Sequence, residues 1–179
     1  MIEESATMRT IRPTGVENSL GDEELIVSKT DCKGRITYAN DIFIRMAKFP
    51  ARELIGAPHS IIRHPEMPRC VFKLLWDTIE AGREVFAYVV NLAADGSHYW
   101  VFAHVTPTLD NRNNIVGHHS NRRKPERGPI ERIKPIYALL REEEAKHANA
   151  KEGMHASYAM MIDLLKQQGV GYDEFVLSL

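Results

Sequence analysis

The sequence predicts an α+β fold: a five-stranded antiparallel sheet with short helices on one face, followed by a C-terminal helical extension. Three observations predict it. Period-two apolar alternation occupies residues 25–40 and 85–122, helical spacing fills the stretch between them, and an Asp95-Gly96 pair marks a hairpin turn inside the second block. The proportions agree. The chain has 179 residues, 44% hydrophobic and 26% charged, which excludes wholesale disorder and leaves room for one domain plus appended elements.

Residues 1–21 are polar, carry Pro13, Gly15 and Gly21, and read as an extended or frayed N-terminal lead-in. LIVSKT (25–30) and RITYAN (35–40) are two short strands around a turn at Asp31-Cys32-Lys33-Gly34. Asn40 before DIFIRMAKF is placed as an N-cap, with Ile42, Phe43 and Met46 as the buried stripe. Pro50 to Gly56 adds one helical turn, and Pro58, Pro65 and Pro68 keep residues 56–68 irregular. Over 69–81, Val71, Phe72, Leu75, Trp76 and Ile79 share one helical face, stopped at Gly82. VFAYVVNLA (85–93), SHYWVFAHVTP (97–107) and IVGHHSNR (115–122) complete a meander.

The main domain is therefore expected at 22–124 and the extension at 125–179. In the extension, Ile130, Ile133, Tyr137 and Leu140 form one stripe with a bend at Pro135. Arg141–Lys151 is a polar link or solvated stretch, and Met154, Tyr158, Met161 and Leu165 form a second stripe ending at Gly169. Two stripes and the apolar end Phe175-Val176-Leu177 exceed what one sheet covers. An exposed association surface is expected there, for a homodimer or a protein partner.

Composition and motifs exclude several classes. Lys and Arg number 23 against 24 Asp and Glu, so no global field favours nucleic acid or an anionic membrane. Arg122-Arg123-Lys124 with Arg127 reads as a solvated domain edge. Cys32 and Cys70 are too few for a disulfide scaffold or a four-cysteine zinc site. No run approaches the ~18 apolar residues of a membrane span, and no apolar leader opens the chain, so a cytoplasmic location without membrane insertion is expected. GxSxG, Walker and GxGxxG motifs are absent, and no catalytic residues are expected. The eight histidines show no HExxH or HxH spacing, and adjacent His118 and His119 point to opposite sheet faces, so no metal site is expected.

HSIIRHPEMPRCVFKLLW (59–76) followed by DGSHYWV (95–101) resembles the PAS domain of the Aer-type energy-taxis receptors, over roughly residues 22–140, with the RHPEMP run its most specific part. The resemblance implies a PAS fold that binds FAD non-covalently and reports redox or oxygen-linked energy state, without enzymatic activity. It places Asn40, Arg63, His64 and Trp76 in or around the cofactor pocket and Asn91 at the pyrimidine edge of the flavin ring. Glu66 stands where Asp is common in that family, Phe86 where Trp is usual, and Leu92-Ala93 where a pair of arginines follows the asparagine. Blue-light PAS domains carry a cysteine at the position of His59, so no flavin adduct is expected.

Alternation along the strands puts Tyr99, Val101, Ala103 and Val105 on one face, the set that matches the pocket side in flavin PAS domains. Ala87, Val89 and Asn91 are expected inward with them, and so are Ile115, Gly117, His119 and Asn121. Ala103 and Gly117 would leave room for a ring, Asn91 and His119 would bond its edge, and Arg63 would meet a pyrophosphate. Each residue also has an ordinary reading: Asn91 as a strand-end cap or bend, Arg63-His64-Pro65 as a polar loop, Trp76 as core. A haem gas sensor, which needs one axial histidine, and a ligand-free adaptor are the alternatives. The output is expected in trans, through a signalling partner of chemoreceptor-like kind.

Overall fold

The computed structural model describes residues 11–179. Its strands are β1 (Leu25–Thr30), β2 (Ile36–Ala39), β3 (Val85–Leu92), β4 (His98–Leu109) and β5 (Ile115–Arg123). Its helices are α1 (Asp41–Ala47), α2 (Ala51–Leu54), α3 (Arg69–Glu80), α4 (Arg127–Ala145), α5 (Ala150–Gln168) and α6 (Tyr172–Leu177), with a 3-10 turn at His59–Ile62. The five strands form one antiparallel sheet in the order β2-β1-β5-β4-β3, so the first hairpin pairs with the last strand.

Local chemistry explains the start of the helical layer. The Asn40 carboxamide oxygen accepts from the Phe43 and Val27 N–H groups at 3.1 and 3.0 Å, while its Nδ2 donates to the Leu25 carbonyl at 2.8 Å. One side chain thus caps α1 and staples it to β1. The core lies between this layer and the inner sheet face, where Phe43, Leu54, Ile62 and Ile79 meet Ile26, Tyr99 and Val101. The lead-in runs beside the β3–β4 hairpin, with a single bridge between Glu17 and His98. Thr14 N–H donates to the Gly96 carbonyl at 2.8 Å and His98 N–H to the Val16 carbonyl at 2.9 Å. The first ten residues of the expected lead-in lie outside the described residues.

The face assignment on β5 requires correction. Ala103, Val105 and Pro107 pair with Arg122, Ser120 and His118, but Thr108 pairs with Gly117 and Leu109 with Ile115, leaving Val116 as an extra residue. That bulge inverts the alternation beyond it. The inward residues are therefore His118, Ser120 and Arg122, confirmed by their partners Thr30, Ser28 and Ile26 on β1. His119 and Asn121 alternate outward. Gly117 makes room for backbone rather than ligand, since a Cβ there would stand 2.4 Å from the Thr30 carbonyl oxygen.

The extension also differs from expectation. α4 runs unbroken through Pro135 to Ala145, so most of the polar stretch is helix and only residues 146–149 link it to α5. On the outer sheet face the Tyr137 ring stacks on Trp100 at 6.4 Å and its hydroxyl donates to the Tyr88 carbonyl at 2.7 Å. Ile130, Ile133, Tyr137 and Leu140 of α4, Met161 and Leu165 of α5 and Val176 of α6 are all buried. Most of the two stripes is covered by the chain itself, because α5 packs on both α4 and α3 and α6 packs on β3, while Met154 and Tyr158 are half-buried and Leu177 of the apolar end stays exposed. Gly153 permits the α4–α5 approach: a Cβ would stand 2.5 Å from the Glu144 carbonyl oxygen. The Glu144 carboxylate accepts from the Cys70 N–H at the start of α3 (3.1 Å) and from the Ser157 hydroxyl of α5 (3.0 Å).

Candidate functional site

A cavity of about 270 Å³ lies between the inner sheet face and the layer formed by the 3-10 turn and α3. Its apolar walls follow from the amphipathic spacing of α3, which turns Phe72, Leu75, Trp76 and Ile79 toward Val89, Ala103 and Val105. The Trp76 wall depends on Gly34, whose Cβ would stand 2.8 Å from the indole and whose φ is +73°. The exposed residues Lys33, Pro58 and Ser60 stand at its open side.

Of the residues singled out in the sequence, Arg63, Trp76, Asn91 and Ala103 line this cavity. The Arg63 guanidinium lies 4.6 Å over the Phe72 ring, donates to the Met67 carbonyl at 3.2 Å, and its backbone bridges to Asn91 at the free edge of β3. Asn91 is 4% exposed, and its Nδ2 has no hydrogen-bond partner among the described residues. Trp76 meets the His118 ring edge-on at 5.4 Å. His119 also lines the cavity; it lies on the outward alternation and its Nε2 is paired with Asn121 Oδ1 at 3.1 Å.

The other four residues lie away from the cavity lining. Asn40 is engaged in the cap and staple described above. His64 is buried with its ring 5.5 Å from that of His98, accepts from the Glu66 N–H at 3.1 Å, and is held neutral by burial. Tyr99 and Val101 are fully buried core behind the lining. The two cysteines are likewise elsewhere, Cys32 exposed and Cys70 buried.

The sequence reading missed the polar end of the cavity. Arg122 Nη2 donates to Ser28 Oγ at 2.6 Å, Ser28 Oγ contacts His59 Nε2 at 3.2 Å, and the His59 ring stacks on Phe43 at 5.8 Å. Arg122 lies 4.4 Å over the same phenyl ring and is 2% exposed, so it is no solvated edge residue. Part of the His59 residue reaches the surface, but its ring sits in this enclosed cluster; burial, then the Arg122 charge, push its pKa down to about 3. Burial lowers that of Arg122 to about 10, which leaves it cationic at neutral pH. His118 bonds Thr30 Oγ1 through Nδ1 at 3.3 Å, and its Nε2 has no partner among the described residues. The bulge at Val116 is what hid this group; once β5 is paired from Arg122 backward, all three inward residues follow.

The five strands form an antiparallel sheet in this order with a cavity beneath short helices, and residues 36–120 match the family described as the PAS fold. Over this segment the chain has a PAS-like fold. It is 35% identical over 121 residues to the aerotaxis receptor of Escherichia coli (strain K12), a match covering 68% of this chain and 24% of the receptor. The nitrogen fixation regulatory protein of Klebsiella pneumoniae is 29% identical over 84 residues, covering 47% of this chain and 17% of that protein. The chain thus spans about a quarter or less of these relatives. Among solved structures, a light-oxygen-voltage domain studied with a flavin analogue aligns with a TM-score of 0.56 at 19% identity, over 69% of this chain and 90% of that one. The light-state structure of the Aureochrome1 LOV domain aligns at 0.54 and 21% identity, over 65% and 91%. At such identity these two likenesses show the fold. No helix among the described residues is long and apolar enough to cross a membrane.

Proposed function

We propose that this protein is a PAS sensory module that binds a flavin, FAD, non-covalently and passes its redox state to a signalling partner through the C-terminal helices. The observation that carries the reading is the Asn91 amide, its Nδ2 unpaired among the described residues, at the wall of an apolar slot and at the position the resemblance assigns to the pyrimidine edge. The residues present fit a flavin. Phe72, Leu75, Trp76 and Ile79 oppose Val89 and Val105 across a space suited to a flat ring, and they exclude water from its faces. Asn91 orients the edge by donating and accepting. Lys33 and Arg63 supply cations for a pyrophosphate. When bound, the flavin supplies reversible electron uptake.

The relay rests on α3, whose one face lines the cavity while its start and outer face meet the extension. Cys70 N–H bonds Glu144, and Lys73 Nζ lies 5.1 Å from the Tyr158 ring centroid. Any displacement of α3 by the contents of the cavity therefore acts on α4 and α5 directly.

The absorption spectrum of the purified chain tests the cofactor, and chromatography of the released chromophore separates FAD from FMN. The haem reading has one observation in its favour, the His118 Nε2 at the cavity, unpaired among the described residues, and predicts a Soret band instead. A protein with neither band is the ligand-free adaptor. Hydrogen exchange in α4 and α5 tests the relay: protection is expected to differ between the oxidised and reduced protein, and identical protection removes the signalling half of the proposal.

A further inference from the structure

Three cationic residues, Lys33, Arg63 and Arg122, line the cavity, and among the described residues no Asp or Glu does. They are not equivalent. Lys33 is exposed, and Arg63 is partly exposed and already donates to a carbonyl. Arg122 is buried, has one hydrogen bond to a hydroxyl, and forms no ion pair among the described residues; its Nε and Nη1 have no acceptor there. A buried charge without a counter-charge or a full set of hydrogen bonds is strongly unfavourable. Its neighbours do not supply the missing charge, since Ser28 is a hydroxyl, burial keeps the Tyr99 hydroxyl protonated, and His59 is neutral. The remaining source of negative charge is whatever occupies the cavity that Arg122 lines.

We propose that Arg122 is the charge-selecting residue of this cavity, favouring a ring that carries negative charge over the neutral form of the same ring, so that reduced flavin binds more tightly than oxidised flavin. The proposal rests on the flavin reading above. Full reduction adds two electrons and one proton to a neutral ring and leaves it with one net negative charge. The electrons come from an external donor, dithionite in the assay. Arg122 neither gives nor takes a proton and stays cationic throughout. Its stack on Phe43 and its bond to Ser28 fix the guanidinium before the ligand enters, so the preference is built into the fold.

The test is the two-electron midpoint potential of FAD bound to the full chain, titrated with dithionite against an indicator dye. Tighter binding of the reduced form raises the bound potential above that of free FAD, and this is the result expected for the unaltered protein. In Arg122→Gln the ratio of reduced to oxidised affinity should fall about tenfold, the difference between a charged and a neutral donor, which is about 30 mV downward for a two-electron couple. Arg122→Lys keeps the charge and should retain most of the preference. A bound potential below that of free FAD overturns the proposal, and so does an Arg122→Gln potential equal to the unaltered one. If Arg122→Gln fails to hold flavin, the unaltered protein against free FAD, together with Arg122→Lys, decides the matter. An unaltered protein that binds no flavin overturns the underlying reading as well, and the absorption spectrum identifies that failure separately.

Discussion

Replacing Asn91 with leucine should move stability and ligand affinity in opposite directions. A buried amide without a partner destabilises the ligand-free fold by about 1–3 kcal/mol. Asn91 is in that position, 4% exposed with Nδ2 unpaired among the described residues and Val89 two positions away on the same face. Leucine removes the polar group and adds apolar atoms beside an apolar cavity. After allowing for imperfect packing, Asn91→Leu should stabilise the flavin-free protein by about 1–2 kcal/mol. At about 2–4 °C per kcal/mol for a chain of this size, the melting temperature should rise by about 2–8 °C. FAD affinity should fall by about 1–3 kcal/mol, or about 5- to 150-fold, because the ring edge loses its partner. Urea melts of the flavin-stripped protein give the first number and fluorescence titration with FAD the second. A flavin-free variant destabilised by about 1 kcal/mol or more would show that the amide is bonded within the fold. Unchanged FAD affinity would show that the amide does not touch the ligand, and either result refutes the reasoning.

Gly34→Ala forces a side chain into left-handed backbone at φ +73° and against the Trp76 indole, and should destabilise by about 2–4 kcal/mol in urea melts; a loss below about 1 kcal/mol would mean that Trp76 yields freely. Tyr137→Phe removes the 2.7 Å bond to the Tyr88 carbonyl and should cost about 1–2 kcal/mol, with faster hydrogen exchange in α4; unchanged exchange would remove that bond from the docking of α4. His59 binds its proton near pH 6.5 when unfolded but only near about 3 when folded, so protonation favours the unfolded chain. Its stability contribution is complete above pH 6.5 and is lost as pH falls toward 3, at about 1 kcal/mol per pH unit. His59→Gln should flatten that part of the acid limb of a stability–pH profile, and identical limbs would contradict the assignment.

Where the sequence carries strong local chemistry, reading and structure coincide. Asn40 caps α1 as expected, Asp95-Gly96 turns the β3–β4 hairpin, and Gly169 closes α5 in a left-handed conformation. The inward set on β4 follows from alternation because that strand is regular along Tyr99–Val105. β5 defeats the same logic through one extra residue: Val116 is 51% exposed and leaves no trace in the apolar pattern, yet it inverts every side chain after it. Arg122 was hidden a second way, inside a basic run whose other members, Arg123 and Lys124, are exposed. The extension was legible as helices but not as packing. Which stripe covers which surface depends on contacts between distant segments, such as Tyr137 with Tyr88 and Gly153 with Glu144, and these are invisible to local spacing.

The carboxylate of Glu144 has a bearing on how the protein is made. α3 starts after Pro68, which offers no side-chain cap, and the N–H of its second residue is met by a group 74 positions further along the chain. A helix whose first turn is finished from so far away gains its full stability only when the later segment has been synthesised and docked. The Cys70–Glu144 bond crosses the boundary expected at residue 124. A fragment ending there keeps every strand of the sheet but leaves α3, one wall of the cavity, without the Glu144 partner of its first turn.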